Sequence, residues 1–355
     1  MGENLIVRSR APLRISFGGG GTEIDPYRSN YGGEVLSTTI SLYAYTTITN
    51  SSTKDMVIFC ASDLQIKETY KVNDLLKNNN VLNNSKLKIH LASYIDILKN
   101  LDDKVNKSIE VVTYCDAPPG SGLGSSSTLT VSMIEALNRR FDLNFDKNEI
   151  AQKAFHIERE LLDLKGGQQD QYAASFGGFN HIFFKKNGKV IVDPLNLSND
   201  IKCELEASLI LFYTGISRDS GRIIEEQIKR DSSGDVDFVK SLNILKKKTG
   251  IMKQALINKD IYTFGSLLHD SWLIKRALSN LITNSTIDQL YKIIKSNGAY
   301  GGKISGAGGG GFFTVICNPS KKGYIQKKLL KYDIEFFSIS ITGKGVESWV
   351  INSKG

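Results

Sequence analysis

The sequence predicts an α+β protein of two domains, and three observations carry that expectation. The first part of the chain is rich in β-branched and aromatic runs. A strand in its middle feeds a glycine–serine loop that opens a helix. The end of the chain reads strand, helix, strand, strand. At 355 residues the chain is long for a single core, and its pattern changes near Asp193-Pro194. The expected domains are therefore 1–198 and 199–355.

Taken in order, Leu13, Ile15 and Phe17 alternate with Arg14 and Ser16, which is a strand pattern with one polar face. The run Gly18 to Gly21 ends it, either as a flexible turn or as a close approach at which the strand aims Arg14. Val35 to Thr49 reads as a long strand, Met56 to Ala61 and Ile66 to Val72 continue the sheet, and Ser93 to Leu101 reads as a helix. Ile109 to Tyr114 is a further strand. It leads into Asp-Ala-Pro-Pro-Gly-Ser-Gly-Leu-Gly-Ser-Ser-Ser, residues 116–127, after which Leu129, Met133, Ala136 and Leu137 recur at helical spacing.

This strand–loop–helix connection is the main candidate site. Its glycines admit left-handed backbone and close approach to a ligand. Its serines stand where the first N–H groups of a helix lack intrahelical partners, and such an N-terminus attracts phosphate. An ordinary turn with a serine cap is the alternative. The strand before, the helix after and glycine at every second position favour phosphate. The candidate nucleotide-binding residues are Pro119, Gly120, Ser121, Gly122, Leu123, Gly124, Ser125, Ser126 and Ser127.

Asp146 and Glu149 fit a helix capping box. The helix that follows carries Ile150, Ala151, Ala154, Phe155, Leu161 and Leu162 on one side, with Glu158 inside that stripe and Lys153, His156 and Glu160 opposite. An ionised carboxylate buried there needs a cation, either a metal or a basic side chain. Asp170 follows the turn Gly166-Gly167. It is either a helix cap or a carboxylate placed to orient an attacking hydroxyl and accept its proton.

Beyond the boundary, Ala207 to Tyr213 is a strand and a long helix runs through Lys246 and Ile251. Phe312 to Cys317, Lys321 to Leu330, Glu335 to Ile341 and Val346 to Ile351 give the closing order, which suggests a ferredoxin-like unit. Gly306 to Gly311 has dinucleotide-fingerprint spacing but runs into a strand where that fingerprint needs a helix.

Composition narrows the function classes. Hydrophobic and charged contents of 41% and 23% are ordinary for a globular protein. No apolar run is long enough to span a bilayer, and the first residues lack the order of a signal peptide or a myristoylation signal. Cys60, Cys115, Cys203 and Cys317 are dispersed and form no metal or redox pair, and Cys115 and Cys317 read as core. A cytoplasmic setting is expected. The net charge of +8 comes from scattered lysine pairs and one triplet, Lys246 to Lys248, without a basic stripe interleaved with aromatics. Neither nucleic acid nor membrane is an expected partner, and the charge favours anionic small molecules.

Pro-Pro-Gly-Ser-Gly-Leu-Gly-Ser-Ser-Ser resembles the second motif of the GHMP kinases. Residues 11–23, Ala-Pro-Leu-Arg-Ile-Ser-Phe-Gly-Gly-Gly-Gly-Thr-Glu, resemble the first, and residues 303–311, Lys-Ile-Ser-Gly-Ala-Gly-Gly-Gly-Gly, the third. The motifs stand in family order across most of the chain. The resemblance implies a ribosomal protein S5 domain 2-like N-terminal domain and a ferredoxin-like C-terminal domain. It also implies an ATP-dependent carbohydrate kinase with Mg²⁺ held by Ser126 and Glu158, Ser125 being the alternative ligand. Arg14 falls beside the transferred phosphoryl, Asp170 serves the attacking hydroxyl, and Thr22, Glu23, Asp25, Gly306 and Gly308 face the sugar. Two positions depart from the pattern: Glu23 stands where Asp is commoner, and Ser41 where an acid is common.

The Leu-Arg-Ile-Ser-Phe wording is most similar to the branch acting on D-glycero-D-manno-heptose 7-phosphate. That implies phosphorylation of the anomeric C1 hydroxyl, on the way to nucleotide-activated heptose for a surface polysaccharide. Fucose-type and galactose-type anomeric kinases, and a non-catalytic sensor, are the alternatives. The expected partners are ATP and a sugar phosphate, with a homodimer left open. A distal sugar phosphate needs its own cation, for which Arg28, Arg218 and Arg222 are candidates.

Overall fold

The alternation around Arg14 does build a strand, β1 (Leu5–Gly18), in the computed structural model, which describes residues 5–75, 77, 81–99, 101–102, 105–215 and 220–352. The expected long strand is β2 (Gly33–Asn50), followed by β3 (Met56–Ala61), β4 (Ile66–Lys71) and β5 (Ile109–Cys115). Then come β6 (Phe179–Phe184) and β7 (Val190–Pro194). β2 is long enough to serve two partners on one side. Its first residues pair with β6 and its last with β5, while β1 runs antiparallel along its other side. β3 pairs parallel with β5, and the other pairings of this sheet are antiparallel.

The helix Ser125–Phe141 lies across β1 and β2. The hydroxyl of Ser9 on β1 donates to the Ser132 carbonyl at 2.6 Å, which fixes the helix against the strand. Arg14 and Ser16, on the polar face of β1, are buried as thoroughly as the apolar residues beside them. The helix expected over 93–101 starts earlier and spans Lys88–Leu98.

The second sheet contains β8 (Leu209–Tyr213), β9 (Ala299–Ile304), β10 (Phe312–Cys317) and β11 (Glu335–Phe337) in the order β11-β8-β10-β9, all antiparallel. With the helices between β8 and β9, and Pro319–Leu329 between β10 and β11, this is the β-α-β-β-α-β ferredoxin-like arrangement. One expectation is corrected. The last strand, β12 (Glu347–Asn352), leaves this unit and pairs antiparallel with β1, from Leu5 opposite Asn352 to Arg10 opposite Glu347. It covers an edge of β1 that would otherwise be open, and the Arg10 guanidinium pairs with the Glu347 carboxylate. Residues 199–355 therefore do not close on themselves.

The two sheets share a core. Leu13, Phe17, Leu36 and Ile40 from the first pack in one cluster with Leu211 and Phe312 of the second and with Met252 and Phe264 from helices Val236–Ile257 and Ile261–Arg276. Cys317 is buried and Cys115 half-buried, as expected of core thiols, while Cys203 is exposed. Among the described residues, no helix is long and apolar enough to cross a membrane.

Candidate active site

The three glycine-rich segments converge on one cleft of about 310 Å³. Its phosphate-loop wall is Gly120, Gly122, Gly124 and Ser125 to Ser127. The helix begins at Ser125, but its N-cap is Gly124 in the left-handed region at φ 80°, with no side chain capping it. The first amides of that helix are therefore left for a ligand. A side chain at Gly124 would place its Cβ 3.1 Å from Asp170 Oδ2. The third segment supports this loop from behind: a Cβ at Gly122 (φ 86°) would come 2.5 Å from the Ser305 carbonyl oxygen. Phe312 N–H also donates to the Ser121 carbonyl at 2.9 Å.

Arg14 reaches into the cleft from β1. Its Nε donates to Asp170 Oδ1 at 2.8 Å, its Nη2 lies 2.6 Å from the same oxygen, and its Nη1 donates to the Gly122 carbonyl at 2.6 Å. Asp170 sits in the first turn of helix Gln169–Phe176, whose N-cap is Gln168, so it is not the cap that local sequence allows. Among the described residues nothing donates to its Oδ2, which leaves an acceptor facing the phosphate loop.

Glu158 lies where the helical period puts it, buried at 1% exposure. The helix is not uniform, however. The capping box of Asp146 and Glu149 forms as expected over Lys147–Phe155, and the chain then widens into a π-turn at His156–Leu161 that carries Glu158. Such turns recur at functional sites. Ser126 Oγ donates to Glu158 Oε1 at 3.0 Å, and Gln171 Nε2 donates to Oε2 at 2.5 Å. The nearest cation, Arg159, is 3.9 Å away and spends its guanidinium on the Gly167 and Leu164 carbonyls. Ser125 instead donates to the Pro118 carbonyl at 3.3 Å, so Ser126 is the serine joined to Glu158.

Several expected contacts are not brought together. Thr22 is fully buried and its hydroxyl closes the glycine turn, donating to the Gly19 carbonyl at 2.7 Å and accepting from Glu34 N–H at 3.0 Å. Asp25 accepts from Arg28 and Ser29 and lies outside the cleft lining. Pro119, Ser121 and Leu123 do not line the cleft either: Leu123 is core, and Ser121 serves through its carbonyl. Gly306 and Gly308 do line it. Arg28 and Arg222 do not, and Arg218 lies outside the described residues.

Three residues absent from the sequence-based set complete the cleft. Gln169 Nε2 donates to Glu23 Oε1, and Gly21 N–H donates to Oε2 at 2.7 Å, so Glu23 is held on both oxygens. Burial raises the Glu23 pKa, with the Asp170 charge adding to it. Lys275 is buried and donates to the Gly306 carbonyl. Burial pulls its pKa down to about 8, with Glu23 resisting and Arg14 assisting. Lys303, on β9, is equally buried, and burial together with Lys275 and Arg14 pushes its pKa well down. Lys275 was readable: it follows Ile261, Phe264, Leu268 and Trp272 at helical spacing, the same reasoning that finds Glu158.

A left-handed glycine cap, a helix N-terminus opened to a ligand and an arginine–aspartate pair across it define a phosphotransferase that uses a nucleotide. Residues 90–178 match the model of the GHMP kinases N terminal domain, and residues 252–334 that of the GHMP kinases C terminal. The D-glycero-alpha-D-manno-heptose 7-phosphate kinase of Campylobacter jejuni is 39% identical over 97% of this chain and 99% of its own length. The chain belongs to the GHMP kinases and is an ATP-dependent carbohydrate kinase. A crystal structure of a D-glycero-D-manno-heptose 1-phosphate kinase from Bacteroides thetaiotaomicron superposes with a TM-score of 0.80 at 31% identity, covering 98% of this chain and all of that one. The L-fucokinase/L-fucose-1-P guanylyltransferase of Bacteroides fragilis is 27% identical over 96% of this chain, which spans 38% of that larger protein. The mevalonate kinase of Methanococcus jannaschii, at 21% identity and a TM-score of 0.75 over 96% of this chain and 99% of its own, shares the fold.

Proposed function

We propose that this chain transfers the terminal phosphoryl of ATP to the anomeric C1 hydroxyl of D-glycero-D-manno-heptose 7-phosphate, giving the 1,7-bisphosphate. The observation that carries the chemistry is the Arg14–Asp170 pair across the mouth of the phosphate loop. Phosphoryl transfer needs positioning and charge neutralisation more than covalent help. Arg14 takes up one Asp170 oxygen and leaves Oδ2 to accept from the sugar hydroxyl as it attacks. The helix amides from Ser125 onward and the Arg14 guanidinium neutralise charge on the phosphoryl oxygens.

The choice of sugar rests on similarity to the C. jejuni enzyme and on charge. Arg14, Arg159, Lys165, Lys275 and Lys303 line the cleft against Glu23, Glu158 and Asp170, a balance that suits a substrate already carrying phosphate. Ser126 and Glu158, joined at 3.0 Å inside the cleft, are the residues to hold Mg²⁺. Mg²⁺ takes one or two protein oxygens and fills its sphere with waters and substrate phosphates, which a serine and one carboxylate satisfy. Bound there, it would neutralise charge on the ATP phosphates. The reaction's need for ATP and the dispersed free thiols fit a cytoplasmic setting, where the product would feed nucleotide-activated heptose for a surface polysaccharide.

The names of the two heptose-kinase relatives place the phosphate differently, so the test must report position as well as turnover. ADP release is measured with heptose 7-phosphate, unphosphorylated heptose, L-fucose and galactose, and the product is read by ³¹P–¹H NMR. The expected result is a C1 phosphate on heptose 7-phosphate, with catalytic efficiency on the order of 10²–10⁴-fold above the neutral heptose, the worth of about two charge-assisted hydrogen bonds. A preference for L-fucose would move the chain to the branch that the B. fragilis protein resembles.

A further inference from the structure

Among the described residues, one cation in the cleft has no partner inside the protein. Lys303 is 4% exposed, and no hydrogen bond or ion pair to its ammonium is found among the described residues. Its two basic neighbours are both engaged: Arg14 with Asp170 and the Gly122 carbonyl, Lys275 with the Gly306 carbonyl. Glu23, the nearest acid to act on it, is already held by Gln169 and Gly21. Burial favours the neutral amine over an unpaired ammonium, and two further cations press in the same direction. An anion arriving in the cleft reverses that balance by supplying the missing charge, and groups perturbed in this way cluster at functional sites. The side chain is also placed to meet one, because Lys303 lines the cleft together with Arg14, Asp170 and the phosphate loop.

We infer that Lys303 is a phosphate-contacting residue, whose amino group is left unpaired by the chain so that a phosphate oxygen of a bound substrate completes it. The inference deepens the reading of the cleft as a sugar-phosphate kinase site. The phosphate has two possible sources: the terminal phosphate of the nucleotide and the phosphate carried by the sugar. Lys303 stands on β9, just before the Ser305–Gly311 turn that supports the loop, while the arginines considered from sequence and described in the structure, Arg28 and Arg222, lie outside the cleft lining.

The test is Lys303→Met, which keeps the length of the side chain and removes the charge, with Lys303→Gln as a polar second variant. Calorimetry measures binding of three probes separately: a non-hydrolysable ATP analogue, heptose 7-phosphate and unphosphorylated heptose. Thermal unfolding is followed on the free proteins. The expected result is a loss of about 10–100-fold in affinity for at least one phosphorylated probe, the worth of one charge-assisted hydrogen bond. Affinity for the neutral sugar stays within threefold, and the unfolding midpoint of Lys303→Met is equal to or above wild type. Loss confined to the nucleotide assigns Lys303 to the transferred phosphoryl, and loss confined to heptose 7-phosphate assigns it to the sugar's own phosphate. Unchanged affinity for both phosphorylated probes would overturn the inference. So would an equal loss for the neutral sugar, or a marked fall in the midpoint, since either marks a structural lysine. If wild type binds and turns over the nucleotide with another sugar but rejects heptose 7-phosphate, the substrate reading fails. The nucleotide arm still decides the role of Lys303.

Discussion

Replacing Asp170 by Asn and by Ala separates the chemistry of the Arg14–Asp170 pair from its part in the fold. Both Arg14 nitrogens that reach the aspartate end on the same oxygen, Oδ1, at 2.8 and 2.6 Å. An asparagine can place its carbonyl oxygen there and keep both donors. Its NH₂ then occupies the Oδ2 position, so the acceptor offered to the sugar hydroxyl becomes a donor. In Asp170→Asn, kcat should fall by about 10²–10⁴-fold, the usual contribution of an acid–base group, or about 3–5.5 kcal/mol in barrier. The nucleotide Kd should stay within about threefold, because the loop amides and Arg14 keep their places. In Asp170→Ala, Arg14 keeps only the Gly122 carbonyl while its side chain is 3% exposed. Removing one partner of a buried pair costs about 3–5 kcal/mol. Because the Asp170 side chain is 21% exposed and partly screened, a cost below that range, about 2–3 kcal/mol, is expected here. ADP-release kinetics, calorimetric nucleotide binding and urea unfolding of the three proteins measure the three quantities. Turnover of Asp170→Asn within tenfold of wild type would refute the role given to Oδ2. Collapse of nucleotide affinity alongside kcat would show that Asp170 shapes the loop rather than serving the hydroxyl.

Other changes probe the remaining parts of the cleft. In Glu158→Gln the amide oxygen can still accept from Gln171 while its NH₂ donates to the Ser126 hydroxyl, so the fold should hold and the Mg²⁺ concentration for half-maximal rate should rise about tenfold or more. An unchanged Mg²⁺ dependence would leave Glu158 as a hydrogen-bonded buttress. Gly124→Ala forces a side chain into φ 80° with its Cβ 3.0 Å from Asp170 Cγ. About 1–2 kcal/mol of stability and at least tenfold in kcat should be lost, and wild-type rates would show that the loop has room to relax. The pKa of Lys275 in the folded chain, about 8, lies below its ordinary 10.5, so above pH 8 the unfolded chain binds the extra proton and this group makes stability rise with pH. Between pH 8 and 9 wild type should gain about 1 kcal/mol over Lys275→Met in urea unfolding, and parallel pH profiles for the two proteins would rule that out.

What the sequence disclosed is what depends on neighbours along the chain. β2, the Asp146 capping box and the loop that opens the helix at Ser125 are decided by residues a few positions apart, and they form where expected. Glu158 was found because a helical period is local, but the π-turn that carries it breaks that period and leaves no composition of its own. Thr22 and Asp25 show that a motif position does not disclose which neighbour takes up a side chain. Their positions match a sugar-facing segment, yet the Thr22 hydroxyl is claimed by Glu34, twelve residues on, and Asp25 by Arg28 and Ser29. The return of β12 to β1 joins Arg10 to Glu347 across 337 positions, and no local signal encodes it.

The cations of the cleft are the most instructive case. A phosphate loop can be local because consecutive backbone amides can all turn toward one anion. Side chains cannot do the same, because successive residues of a strand point to opposite faces and those of a helix fan around its axis. Cations that meet in one cleft must therefore come from separate elements, here Arg14 from β1, Lys275 from the helix Ile261–Arg276 and Lys303 from β9. Lys303 looks unremarkable in its own segment, whereas the strand pattern marks Arg14 and the helical spacing marks Lys275. Their meaning appears only when burial brings them together and two of the three are found already engaged. On the proposed reading, the backbone that receives phosphate is thus written in one stretch of sequence, while the charge that would complement the substrates is written across three.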